Sequence, residues 1–118
     1  MKGDEKYKIK SIICSNNKNL NIEFYDNYKS KLSAELLRVE SPSAEVQGHS
    51  SKEKKTPLNK KNVSITNIER IGNYAIRIIF DDGHNTGIYS WDYLRKMSEN
   101  NKQLYENYLR RASKIKIN

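Results

Sequence analysis

The sequence predicts an α+β domain: a compact two-layer sandwich with an antiparallel or mixed sheet built from two strand-turn-strand-helix units and C-terminal helices packed on one face. Three observations lead there. Alternating apolar residues, the period of a half-buried strand, occur in two separate stretches. The last quarter of the chain changes to three- and four-residue apolar spacing, the period of helix. The two β stretches also repeat each other: Phe24 and Phe80 are 56 residues apart, and Ser33/Ser90, Leu37/Leu94 and Arg38/Arg95 are each 57 apart.

The elements follow in order. Tyr7, Ile9, Ile12 and Ile13 predict a strand whose phase slips near Ser11, as a bulge causes. The polar run 15–19 is a turn, and Leu20, Ile22 and Phe24 mark the next strand. Asp26-Asn27 turns the chain again, because Asn tolerates the left-handed conformation a tight hairpin needs. Tyr28, Ser30 and Leu32 form the return strand. Ser41-Pro42-Ser43 ends a helical turn and forces extended backbone. Residues 48–62, with five Lys, one Glu and almost no apolar residue, read as a loop or mobile segment inside the domain.

Beyond it the β pattern resumes at Val63 and Ile65, then shifts phase at Ile68 and Ile71. After a Gly72-Asn73 turn, Tyr74, Ile76, Ile78 and Phe80 mark one face of a strong strand. Asp82-Gly83 is the best hairpin dipeptide in the chain, and a short strand returns at Ile88-Tyr89. Ser90 is a good N-cap, with Asp92 in the first turn where the helix dipole favours it. Trp91, Leu94 and Met97 share a helix face; residues 98–101 weaken that helix. A second helix follows with Leu104, Tyr105, Tyr108, Leu109 and Ala112.

Composition bounds the function. The chain has 118 residues, enough for one domain, which spans 1–118 with its core at about 7–112. A single cysteine, Cys14, excludes an internal disulfide. The charged N-terminus and the lack of a long apolar run point to the cytoplasm. The 22 Lys and Arg exceed the 14 Asp and Glu, for a net charge of +8. That excess is local: residues 52–61 carry five Lys against one Glu, and residues 95–118 carry seven Lys and Arg against two Glu. A nucleic-acid partner is one reading of it, a solvated surface the other.

No catalytic constellation stands out. There is no nucleophile elbow, no phosphate-cradling glycine loop, and no cysteine beside a plausible base. Asp81-Asp82-Gly83-His84 reads as a turn before it reads as a metal or acid–base site, because successive side chains on a strand end point to opposite faces. Cys14, His49 and His84 lack the paired spacing of a zinc site. The expectation is a non-enzyme without a cofactor.

The segments Leu-Arg-Val-Glu-Ser-Pro-Ser-Ala-Glu-Val-Gln-Gly-His at 37–49 and Gly-Asn-Tyr-Ala-Ile-Arg-Ile-Ile-Phe-Asp-Asp-Gly-His-Asn-Thr-Gly-Ile-Tyr-Ser-Trp-Asp-Tyr-Leu at 72–94 resemble the gamma-butyrobetaine hydroxylase-like N-terminal domain family. The resemblance covers about residues 7–112, and small bacterial proteins of unknown function are among its members. It implies a compact α+β fold. It also implies three settings: a stand-alone domain, a domain before iron- and 2-oxoglutarate-dependent hydroxylases, and a domain after iron–sulfur cluster carrier ATPases. The hydroxylase chemistry belongs to the other domain, so the resemblance implies no such activity here. The structural zinc implied for the hydroxylases falls on Ser41, Ser43, Val46 and His84 in this sequence. Neutral hydroxyls are poor substitutes for thiolates and Val cannot ligate, so that site is expected to be replaced by hydrogen bonds.

The resulting expectation is a non-catalytic accessory domain with a protein partner, linked to iron–sulfur or iron metabolism. Its expected binding surface comprises Arg38, Glu40, Ser41, Ser43, Glu45, His49, His84, Tyr89 and Trp91. For Tyr89 and Trp91 the competing expectation is a place in the core. A basic nucleic-acid-binding domain and a zinc- or iron-binding domain are the alternatives.

Overall fold

Ten elements make up the computed structural model, which describes residues 7–47 and 56–116. The first unit is β1 (Ile9–Ser15), β2 (Asn19–Phe24), β3 (Lys29–Ser33) and α1 (Ala34–Val39), followed by the single turn α2 (Ala44–Gln47). The second unit is β4 (Ile65–Ile71), β5 (Ala75–Phe80), β6 (Ile88–Ser90) and α3 (Trp91–Glu99), followed by α4 (Asn101–Lys116). The predicted α+β class holds, and all strand pairing is antiparallel. The six strands do not share one sheet, however. They form two three-stranded sheets, β1-β2-β3 and β4-β5-β6.

The sequence repeat is a structural repeat down to individual hydrogen bonds. The β1–β2 register slips between Ile9 and Ser11, opposite Phe24 and Glu23. The β4–β5 register slips between Ile65 and Asn67, opposite Phe80 and Ile79, which is the same place 56 residues on. Both hairpin turns close identically: Asn27 N–H donates to Phe24 O (2.9 Å) and Gly83 N–H to Phe80 O (3.1 Å). Asn27 and Gly83 have φ of 73° and 92°, the left-handed values that Asn and Gly tolerate best. Both helices start on a serine whose hydroxyl accepts the N–H three residues on, Ser33 from Leu36 and Ser90 from Tyr93.

Alternation places Leu20, Ile22 and Phe24 of β2 and Ile76, Ile78 and Phe80 of β5 inside. Together with Leu32, Leu36, Leu37, Val39, Tyr89, Trp91, Leu94 and Met97 they form a single core drawn from both units. Helix α3 packs on β3 of the opposite unit, and α4 lies against α1 and α3. Glu35 of α1 fixes α4 by accepting the hydroxyls of Tyr105 (3.2 Å) and Tyr108 (2.8 Å). No helix among the described residues is long and apolar enough to cross a membrane.

The two units also exchange ion pairs. Arg95 of the second unit donates through Nη1 to both oxygens of Asp26 in the first hairpin turn (3.1 and 2.9 Å). Arg38 of the first unit donates through Nε to Asp82 in the second hairpin turn (2.8 Å). Asp26 and Asp82 are equivalent positions of the repeat, as are Arg38 and Arg95.

Candidate functional site

The second exchange point anchors a polar cluster buried between the units. Its elements are the C-terminal end of α1, the Ser-Pro-Ser step, α2 and the β5–β6 loop. Ser41 has no solvent exposure, and Ser43 and His84 are also buried. Such groups must be hydrogen-bonded to be tolerated there. The Ser41 and Ser43 hydroxyls lie 2.9 and 3.4 Å from His84 Nε2. Ser43 N–H donates to Ser41 Oγ (3.4 Å), and Gln47 Nε2 donates to Ser41 O (2.9 Å). On the other side of the ring, His84 Nδ1 is 3.1 Å from Glu45 Oε1, which also accepts the Thr86 hydroxyl (3.1 Å).

The Ser41 hydroxyl and the Glu45 carboxylate thus flank the two ring nitrogens of His84. The result is a Glu45–His84–Ser41 line with the spacing of an acid–base–nucleophile relay. Ser41 is sealed from solvent, so no substrate reaches its hydroxyl and the line serves structure.

Gly87 explains why Ser41 is sealed. A Cβ at that position would lie 2.3 Å from Ser41 Oγ and 3.1 Å from Tyr89 Cε1. The β5–β6 loop therefore presses bare backbone onto the serine, and the constraint is steric.

Charges converge beside the ring. Asp82 Oδ2 accepts from Arg38 Nε (2.8 Å) and from Lys60 Nζ (2.6 Å), while Oδ1 accepts His84 N–H (3.0 Å). Burial alone would raise the Asp82 pKa; the hydrogen bonds from Lys60, His84 and Arg38 outweigh it and hold the carboxyl well below the usual carboxylate range. Burial of His84, aided by Arg38 and Lys60, lowers its pKa despite the opposing pull of Glu45 and Asp82.

The expected site residues thus fall into three groups. Arg38, Ser41, Ser43, Glu45 and His84 meet at this corner. Glu40 caps α1 from the inside, 2% exposed; its Oε2 accepts from Arg111 (3.0 Å) and its carbonyl accepts the Tyr93 hydroxyl. Burial pushes that phenol up to about 12. Tyr89 and Trp91 belong to the core, with Tyr89 donating its hydroxyl to Leu37 O, so they support the corner from beneath. His49 lies outside the described residues, as do residues 48–55 of the basic loop. The accessible surface over the corner consists of Ala44, Glu45, Asn85, Thr86 and Ile88.

Asp82, Lys60, Thr86 and Gly87 complete the corner without having been singled out as site residues. Asp82 was legible through the repeat: Arg38 and Arg95 match, Asp26 and Asp82 match, and one pair implies the other. Asp81 accepts Ser64 N–H (3.0 Å), so the two neighbouring carboxylates do serve the turn separately.

The donor set does not fit a zinc ion. The four positions aligned with the family's zinc ligands present two neutral hydroxyls, one imidazole and the buried alkyl group of Val46. Both hydroxyls are already engaged with His84. Among the described residues no three His, Cys, Asp or Glu side chains group as metal ligands.

Fold and corner together define a small α+β domain of two β-β-β-α units. The chain belongs to the family described as gamma-butyrobetaine hydroxylase-like, N-terminal, which matches residues 12–95. It is similar to the crystal structure of a protein of unknown function of the DUF971 family from Acidithiobacillus ferrooxidans: TM-score 0.66, 31% identity, 81% of this chain and 98% of that one covered. Two proteins solved by solution NMR are also similar, each with a TM-score of 0.77. One is 41% identical, covering 100% of this chain and 89% of its own. The other is 36% identical, covering 91% and 85%. A search of curated proteins returns no match.

Two outcomes follow from this geometry. Gly87→Ala destabilises the protein by about 1–3 kcal/mol, the usual cost of overpacking. Ser41→Ala removes the clashing oxygen, so the Gly87→Ala penalty shrinks in that background; a denaturant double-mutant cycle reads the coupling. Second, His84 titrates below its ordinary value of 6.5. The unfolded chain then takes up the proton first, so this part of the stability is complete above pH 6.5 and declines as pH falls through that value. An NMR titration of the ring checks the direction, and His84→Gln flattens that portion of the stability profile.

Proposed function

We propose that this chain is a non-catalytic interaction module that docks a protein partner on the surface over the Ser-Pro-Ser and Asp-Gly-His corner. The observation that carries the reading is the contrast between the two sides of that corner. Inside, Ser41, Ser43 and His84 are buried and hydrogen-bonded, with no reachable nucleophile. Outside, α2, the β5–β6 loop and the first residue of β6 hold Glu45, Asn85, Thr86 and Ile88 exposed, with Glu45 in contact with both His84 and Thr86. A rigid support under an exposed polar patch with one apolar residue suits recognition, because little side-chain freedom is lost on binding.

The family resemblance supplies the context. Its implied linkage to iron–sulfur cluster carrier ATPases supports a role in iron–sulfur or iron metabolism and makes such carriers the first partners to test. A second reading, phosphate tracking by nucleic acid, draws on Asn107, Arg110, Arg111 and Lys114, which line one surface depression on α4. Arg111 is already committed to Glu40 and Thr56, which leaves that strip weaker than its sequence suggests.

Capture from cell extract tests the reading. Wild type and Tyr25→Ala, an exposed change on the first hairpin turn, retain the same protein. Glu45→Lys combined with Thr86→Arg loses it. Equal capture by all three, or retention of nucleic acid alone that salt removes, contradicts the module reading.

A further inference from the structure

The two units carry equivalent edge strands that are guarded unequally. Sheet order puts β1 at the edge of one sheet and β4 at the edge of the other. The registers align the two residue by residue: Ile13 pairs with Asn21 as Glu69 pairs with Arg77, 56 positions on. An exposed edge strand is a template for another chain, and charged side chains are the usual protection. β4 keeps that protection in Glu69, which is ion-paired with Arg77, and in Arg70, whose Nε donates to Gly72 O (2.9 Å). At the same two positions β1 has Ile13 and Cys14, both exposed, Ile13 to 62%.

The backbone groups on the open edge of β1 can be assigned. Phe24 N–H donates to Tyr28 O, so even-numbered residues of β2 turn their backbone groups toward β3 and odd-numbered ones toward β1. Tyr25 N–H accordingly donates to Lys8 O (3.0 Å). Asn21 and Glu23 therefore hold Ile13 and Ser11, while Ile12 and Cys14 present N–H and C=O to the open edge. The register slip between Ile9 and Ser11 interrupts that edge and leaves the uncharged run Ser11-Ile12-Ile13-Cys14-Ser15. The run is close to symmetric about Ile13. A two-fold axis there sets Ser11 against Ser15, Ile12 against Cys14 and Ile13 against itself. It also gives Ile12 and Cys14 of the two copies reciprocal backbone hydrogen bonds, and makes Ile13 a non-hydrogen-bonded pair, where opposed side chains come closest. Moving the axis to Ile12 sets Ile13 against Ser11 and Cys14 against Lys10, and both matches are lost.

We infer that β1 is the contact strand of a symmetric homodimer, in which two copies pair antiparallel about Ile13 and join their three-stranded sheets into one. A two-fold interface must be complementary to itself, and residues 11–15 meet that demand in side-chain pattern and in backbone polarity. Pairing also covers an isolated apolar group: Ile13 lies beside Ser11, Asn21, Glu23, Lys29 and Lys31 on the sheet surface. The contact is smaller than the ~1,200 Å² at which standard interfaces begin, so the dimer is a weak one. Each copy carries a net charge of +8, so the copies repel and added salt strengthens the pairing by screening. β1 contributes no residue to the Ser-Pro-Ser corner, and the inference is independent of the docking reading.

Amide hydrogen exchange of the full chain, followed from micromolar to millimolar concentration, tests the pairing. The Ile12 and Cys14 amides exchange freely when dilute and slow severalfold when concentrated. Those of Ile68 and Arg70, their equivalents on β4, do not change with concentration. Ile13→Glu, at an exposed position, supplies the guard that Glu69 gives β4 and abolishes the slowing; Arg70→Ala leaves it intact. The register is read by crosslinking in a Cys14→Ser background, where Ile13→Cys joins its own counterpart under oxidised glutathione faster than Arg70→Cys does. Exchange that is independent of concentration, slowing that survives Ile13→Glu, or equal crosslinking by the two cysteine variants overturns the assignment. Protection of the Ile12 and Cys14 amides that appears only in cell extract also overturns it, giving the edge to a different chain.

Discussion

Everything in this fold depends on two apolar sheet faces that only each other's unit can cover. A three-stranded sheet with one short helix buries too little on its own. Leu20, Ile22 and Phe24 on one side and Ile76, Ile78 and Phe80 on the other become core only when the units meet. The magnitudes rank the contributions. Truncating one buried Leu or Ile to Ala costs about 2–5 kcal/mol, whereas an exposed ion pair contributes about 0–1 kcal/mol. The reciprocal arginine–aspartate exchange therefore sets orientation and register, and the shared core supplies the stability.

The corner is a consequence of that arrangement. Pairing the units brings the end of α1 against the second hairpin turn and the end of α3 against the first. One meeting point is filled by rings and carboxylates around Arg95. The other received Val63, His84 and Pro42, and became a polar pocket closed by serine hydroxyls under Gly87. A duplicated frame thus yields two corners built on equivalent positions and closed by different partners. The net charge plays a smaller part. Of the basic side chains described, Arg38, Lys60, Arg95 and Arg111 are drawn into ion pairs at the unit boundary.

Much of the architecture was legible because it is written in local chemistry. The strand alternation, both bulges, the Asn27 and Gly83 turns and the Ser33 and Ser90 caps depend on residues within a few positions of each other. The division into two sheets was not legible, because strand alternation states which face is buried and says nothing of which strands pair across units. The buried place of Glu40 was hidden for a related reason. A carboxylate reads as surface until Arg111, 71 residues away, is brought to it. Thr86 and Gly87 carried no signal at all, since a lone threonine or glycine takes its role only from what the fold sets opposite it.

The shared core is tested most directly by dividing the chain between the units. Residues 1–50 and 51–118, produced separately, are each expected to lack the dispersed amide spectrum of a folded domain. Mixed in equal amounts, they recover the spectrum of the intact chain in a single cooperative association. A half that folds alone, or halves that fail to reassemble, would contradict the dependence of each unit on the other.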